Sequence, residues 1–141
     1  MSFDLIPKNK ELDSIEVGAF TWPIFLQETG MGYVLGYGAA FKPGSYVYNN
    51  GNKGSPVSND SYRVTSSEAK AMAKVARGYV TVQRCVNKEW EQLPESQQSY
   101  YENAKSLGEQ PLYRAKMHED HLVWLEKFAD WADKSKGFTI N

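Results

Sequence analysis

"YRVTSSEAKAMAKVARGYVTVQRCVNKEW", Tyr62 to Trp90, is the stretch whose reading decides the fold. Thr65 and Glu68 stand three apart ahead of an apolar run. That is the spacing of a capping box, in which the hydroxyl accepts from one backbone N–H and the carboxylate from another. Met72, Val75, Ala76, Tyr79, Val82 and Val86 then recur at helical spacing. The pattern predicts a helix from Ser66 to about Lys88, roughly 35 Å long at ~1.5 Å per residue. Gly78 opposes it, because glycine costs ~1 kcal/mol inside a helix, and the "YVTVQ" that follows has the β-branched composition of a strand. A continuous helix is the preferred reading, and a break at Gly78 is the alternative.

Working outward, "SFDLIP" reads as a short first strand ended by Pro7, whereas "LDSIEVGAF" fits neither period. In "FTWPIFLQETG", Thr21 is placed to cap a helix, Pro23 sits in its first turn and Gly30 stops it, giving a helix from Trp22 to Thr29. "LPESQQSYYENAK" predicts another helix with Pro94 in its first turn. "MHEDHLVWLEKFADWADKSKG" is strongly amphipathic. Leu122, Leu125, Phe128, Ala129 and Ala132 line one side, Trp124 and Trp131 widen it, and Gly137 suits the cap. "FTI" returns as a short final strand. These elements predict an α+β fold, a single compact domain with three or four helices packed on a small, mostly antiparallel sheet formed by the N-terminal half. The helix from Ser66 is its spine, and the Trp-bearing helix closes the core.

The chain has 141 residues, 41% of them hydrophobic and 23% charged, so one domain with a real core is expected. A formal net charge of -1 argues against bulk nucleic-acid binding, which needs a basic domain. One cysteine, Cys85, cannot form an internal disulfide, and its place beside the apolar stripe predicts a buried structural thiol. The start lacks a basic segment followed by an apolar run, and no stretch approaches the ~18 apolar residues of a membrane span. A soluble cytoplasmic protein is the expectation. The aromatic fraction of 13%, led by nine tyrosines, suits an interaction surface, because Tyr joins a large apolar body to a polar tip.

"GMGYVLGYG", Gly30 to Gly38, comes close to a phosphate-cradling loop. A dinucleotide fingerprint needs a strand, then the glycine turn, then a helix. Here a helix comes first and an extended Tyr-rich stretch follows, and no Gly-Lys-Ser/Thr closes the run. The segment therefore reads as a strand with Gly30 as helix cap, on which Tyr33, Leu35 and Tyr37 share one face. Gly36 and Gly38 leave the other face bare for a bulge or a close approach. The loop "NNGNKGSPVSND" leads to Asn59 and Asp60, which favour a turn ordering the helix entry. Its functional version is a recognition loop beside a helix N-terminus, with Tyr46, Tyr48 and Tyr62 stacking on a planar ligand.

Lys70, Lys74, Arg77, Arg84 and Lys88 fall within about 40° of one line along the central helix, at 3.6 residues per turn. This basic stripe is either a solvated helix face or a site for a phosphorylated ligand or acidic partner. Glu119, Glu126, Asp130 and Asp133 form an acidic line on the last helix by the same arithmetic. The two helices are able to pack antiparallel and pair the stripes at their rim, which uses up the basic one. His118 and His121 lie three apart with Glu119 and Asp120 between. That is not the spacing of a zinc protease, and the residues read as the ordinary first turn of a helix rather than a metal site.

The "FDLIPKNK" start, the Trp22-Pro23 helix, and Ser58-Asn59-Asp60 followed by "VTSSEAKAMA" resemble small uncharacterised accessory proteins of bacteria and their phages. Ser61 stands where glycine is expected. The resemblance implies an accessory gene product and no particular activity, so it brings no site residue with it. Two functions follow from the residues themselves. One is a non-catalytic module presenting the Tyr- and Gly-rich surface of residues 31–62 to a protein partner. The other is a binder of a small anionic, nucleotide-like ligand using Lys70, Lys74 and Arg77 with the Tyr-rich loops. An enzyme comes third, since no spaced carboxylate pair, triad or metal cluster stands out. No cofactor and no metal are expected, and the oligomeric state is open.

Overall fold

The computed structural model describes residues 1–37, 52, 54–58, 60–106 and 117–141. Residues Ser2–Pro7 form β1, Ile15–Gly18 β2, Thr21–Thr29 α1, Met31–Val34 α2, Tyr62–Val64 β3, Ser66–Gln92 α3, Glu95–Ser106 α4, Glu119–Lys134 α5 and Phe138–Ile140 β4. The sheet order is β2-β1-β4-β3, and every pairing is antiparallel. The α+β architecture is as the sequence predicts. The sheet, however, is not the property of the N-terminal half, because the final strand β4 inserts between β1 and β3.

Strand alternation sets the two faces. Phe3, Leu5, Val17, Tyr62, Val64, Phe138 and Ile140 point inward and are buried. Asp4, Glu16 and Arg63 are exposed on the other side. Leu5, Ile140 and Tyr62 stand abreast across three strands, as do Ile6, Thr139 and Arg63 on the outer face. The buried side chains of α1, α3 and α5 pack with this inner face into one core.

The spine α3 is continuous through Gly78 and runs four residues beyond Lys88, and its capping box is present in full. Glu68 N–H donates to Thr65 Oγ1 at 3.2 Å, and Thr65 N–H to Glu68 Oε1 at 2.9 Å. Its buried face carries Met72, Ala76 and Tyr79, then Gln83 and Asn87 rather than Val82 and Val86. Val82 is 51% exposed, and Cys85 is exposed rather than buried. The helical period of the apolar run therefore drifts from the packed face after Tyr79.

The stretch from Gly30 to Leu35 is not a strand. Gly30 ends α1 at φ +86°, as expected of a cap, and the chain at once makes the single turn of α2. Tyr37 N–H then donates to the Gly32 carbonyl at 2.7 Å. A Cβ on Gly32 would meet the Tyr37 carbonyl oxygen at 2.2 Å, so glycine here permits a close backbone approach. Thr21 is the first helical residue rather than the cap; that position belongs to Phe20, which makes no side-chain capping bond. Pro94 immediately precedes α4, and its carbonyl accepts from Gln97 and Gln98 N–H.

The α5 end is sealed by the β1–β2 loop. Asn9 Nδ2 donates to the Lys134 carbonyl at 2.8 Å, and Trp131 Nε1 to the Asp13 carbonyl at 2.8 Å. Lys136 and Gly137, both with positive φ, then swing the chain into β4. Rings of α1 and α5 form a continuous set. Phe25 stacks on Trp124 at 5.2 Å, Trp124 on Phe128 at 5.5 Å, and Trp131 meets Phe138 at 5.2 Å. Trp22, fully buried among them, donates its indole N–H to the Pro56 carbonyl at 3.0 Å. The Trp-bearing helix thus closes the core as predicted. No helix among the described residues is long and apolar enough to cross a membrane.

Candidate functional site

The charged stripes meet. α3 and α5 pack antiparallel, and Arg77 near the middle of α3 donates to Asp130 Oδ1 at 2.9 Å while pairing with Asp133 Oδ2 at 2.6 Å. Two turns on, Arg84 reaches Glu119 Oε1 through Nη2 at 2.9 Å and Nε at 3.2 Å, and it also pairs with Glu126. Each guanidinium therefore holds two carboxylates. The hydrogen bond to Asp130, then that to Asp133, raises the Arg77 pKa above its ordinary value, and Glu119 and Glu126 do the same for Arg84. Both arginines are charged at every accessible pH, so the shift marks engagement rather than a switch.

A shallow groove of about 250 Å³ lies here, lined by Arg77, Val80, Thr81, Arg84, Glu126 and Asp130. Its two positive and two negative side chains balance. An incoming phosphate would have to displace carboxylates already bonded to the guanidinium groups. Of the basic stripe, Lys70, Lys74 and Lys88 remain exposed on α3 outside these pairs.

The tyrosines separate. Tyr62 is 1% exposed and its hydroxyl donates to the Leu35 carbonyl at 3.4 Å, so it is a core residue and not a stacking platform. Tyr37 is half-buried and Tyr33 exposed. Since residues 33–37 are a helical turn and its exit, these two do not share a strand face with Leu35. Asp60 is exposed; Tyr46, Tyr48, Asn59 and Gly38 lie outside the described residues. Ser61, where glycine was expected, adopts φ +56° and donates to Asn141 Oδ1 at 2.5 Å. Asn52 is buried, and its amide bonds both backbone groups of Arg63, which fills the outer edge of β3 as a neighbouring strand would. The histidine rings of His118 and His121 are 6.3 Å apart, and His121 stands edge-on to Phe25. Among the described residues, no three His, Cys, Asp or Glu side chains gather where a metal ion could be held.

Two features escape the sequence reading. The first is apolar exposure on α1. Phe20 is 87% exposed and Ile24, one turn on, is 52% exposed, opposite the buried Trp22, Phe25 and Leu26. Phe20 itself has helical dihedrals, so the two side chains lie on one side of the helix. Nothing local marks these two positions as outward, since Ile24 stands in the same apolar run as the buried Phe25 and Leu26. The second is the pair Gln83 and Asn87, which bond each other at 2.9 Å on the buried face of α3. Compared with protein-family models, curated proteins and solved structures, the chain matches none.

Proposed function

We propose that this chain is a non-catalytic protein-interaction module, an accessory protein of the kind its resemblance implies. The observation that carries the reading is the outward pair Phe20 and Ile24, with Tyr33 exposed in the next helical turn. Single exposed apolar residues need no explanation, but large ones grouped on a helix already anchored by Trp22 and Phe25 mark a contact surface. The tyrosine-rich surface of residues 31–62 thus narrows, within the described residues, to Tyr33 and Tyr37, and α1 extends it.

The anionic-ligand reading has less support. Arg77 already holds two carboxylates, and Tyr62 is inside the core. Its remaining candidates, Lys70 and Lys74, are ordinary solvated side chains on a helix face.

The test is a comparative pull-down with purified, tagged protein. A partner held by the native chain and by the Arg77→Ala variant, but lost from the Phe20→Ser, Ile24→Ser double variant with unchanged circular dichroism, supports the module. The same proteins recovered with all three overturns the α1 surface. A small anion that co-purifies with the native chain and leaves with Arg77→Ala would favour the ligand reading instead.

A further inference from the structure

We propose that the free edge of β2 takes up an extended strand of a partner protein, one with a basic side chain between two apolar ones. The inference rests on the reading of α1 as a contact surface and adds how the partner is held. Ala19 N–H donates to the Met1 carbonyl at 3.3 Å, and Asp4 exchanges both backbone bonds with Asn141. In an antiparallel ladder such bonds alternate from residue to residue. Ile15 and Val17 therefore bond to β1, whereas Glu16 and Gly18 turn their N–H and C=O groups away from it. Among the described residues no hydrogen bond reaches those outward groups. The opposite edge is treated differently. There the outward groups of Arg63 are both taken by Asn52, which is 7% exposed. One edge is closed by a buried side chain and the other is open. Donors and acceptors repeating about 7 Å apart are what an added extended backbone matches.

Charge and apolar surface at this edge set the chemistry of the strand. Asp4 and Glu16 stand directly opposite each other across β1 and β2, in a pair without mutual backbone bonds, where side chains are closest. Like charges so placed repel. Both residues are exposed, and neither carboxylate has a hydrogen bond or ion pair with a described residue. A lysine or arginine placed beside Glu16 on an added strand would lie next to both. Its two neighbours in that strand would point to the other face, beside Ile15 and Val17. On that face α1 lies over β2, while α5 lies over β4, with Phe128 and Trp131 against Phe138. Trp22 and Phe25 face α5, so Phe20 and Ile24 look past the open edge, towards the two apolar neighbours. A second copy fits less well. Its own β2 would set Glu16 or Gly18 beside Glu16 and bring no cation.

The probe is a capped octapeptide of alternating lysine and valine, titrated into the isotope-labelled full chain up to about 1 mM. Binding is expected, with slowed hydrogen exchange at the Glu16 amide. N-methylation of the peptide's lysine amides removes the donors that face β2 and should weaken binding about tenfold or more. The same change at the valines, whose N–H groups point away, should weaken it far less. Glu16→Lys should also weaken binding about tenfold, and that variant should prefer an alternating glutamate and valine peptide. No binding up to the limit, equal binding of the two methylated peptides, or indifference to Glu16→Lys overturns the proposal. Binding that protects Glu16 but ignores the Phe20→Ser, Ile24→Ser change overturns the α1 reading and leaves the edge. A concentration-dependent dimer of the chain alone, with Glu16 protected, overturns the basic strand in favour of a second copy.

Discussion

The side-chain amide of Asn87 bonds both backbone groups of Met117. Nδ2 donates to its carbonyl at 2.7 Å and Oδ1 accepts from its N–H at 3.1 Å. Gln83 Nε2 donates to the same Oδ1 at 2.9 Å. Residues thirty apart in sequence are thereby joined at the point where the chain enters α5. Asn87→Leu keeps the volume but removes all three bonds and leaves the half-buried backbone groups of Met117 unmatched. The expected loss is about 2–3 kcal/mol of stability, since each orphaned buried group costs ~1–3 kcal/mol. Urea denaturation measures it. A loss below about 1 kcal/mol would mean that water replaces the amide.

Arg77 makes more conspicuous contacts and should matter less. Its side chain is 43% exposed, and Asp130 is 72% exposed. Arg77→Ala is expected to cost no more than about 1 kcal/mol, and less as salt rises. Denaturation at low and high ionic strength checks both points. The α3–α5 rim then fixes the antiparallel orientation of the helices while the core beneath supplies the stability.

Two glycines should respond in opposite directions to alanine. Gly137 has φ +97°, and a Cβ there would stand 2.6 Å from the Val64 carbonyl oxygen, so Gly137→Ala should destabilise by about 2–3 kcal/mol. A Cβ on Gly78 would meet no atom of the described residues within 4 Å, so Gly78→Ala should stabilise the chain by up to ~1 kcal/mol. Thermal melts of dilute protein report both.

What was readable from the chain was what is local. The capping box at Thr65 and Glu68 needs only four residues, and the stripes that pair Arg77 with Asp130 need only helical arithmetic. The strands at Phe3 and Phe138 were visible too, but not that β4 would lie between β1 and β3, because those neighbours come from the start and the middle of the chain. The alternation of Tyr33, Leu35 and Tyr37 imitated a strand, whereas the Gly32 to Tyr37 contact that folds the segment is a tertiary feature. Cys85 was misplaced for a related reason. Valines at positions 82 and 86 suggested a buried face that Gln83 and Asn87 in fact occupy, since Asn87's partner Met117 is far away in sequence. The candidate surface suffered most. Tyr62 was drawn into the core, and Phe20 and Ile24 gave no signal until the buried face of α1 was known.

The most direct measurement is photo-cross-linking in the producing cell, with a benzophenone amino acid in place of Phe20 and, in a separate chain, in place of Lys70. The account predicts discrete adducts with a protein partner from position 20 and none from position 70, both being exposed positions on helices or their ends. Equal labelling from both positions, or none from position 20, would contradict the claim that α1 presents the interaction surface.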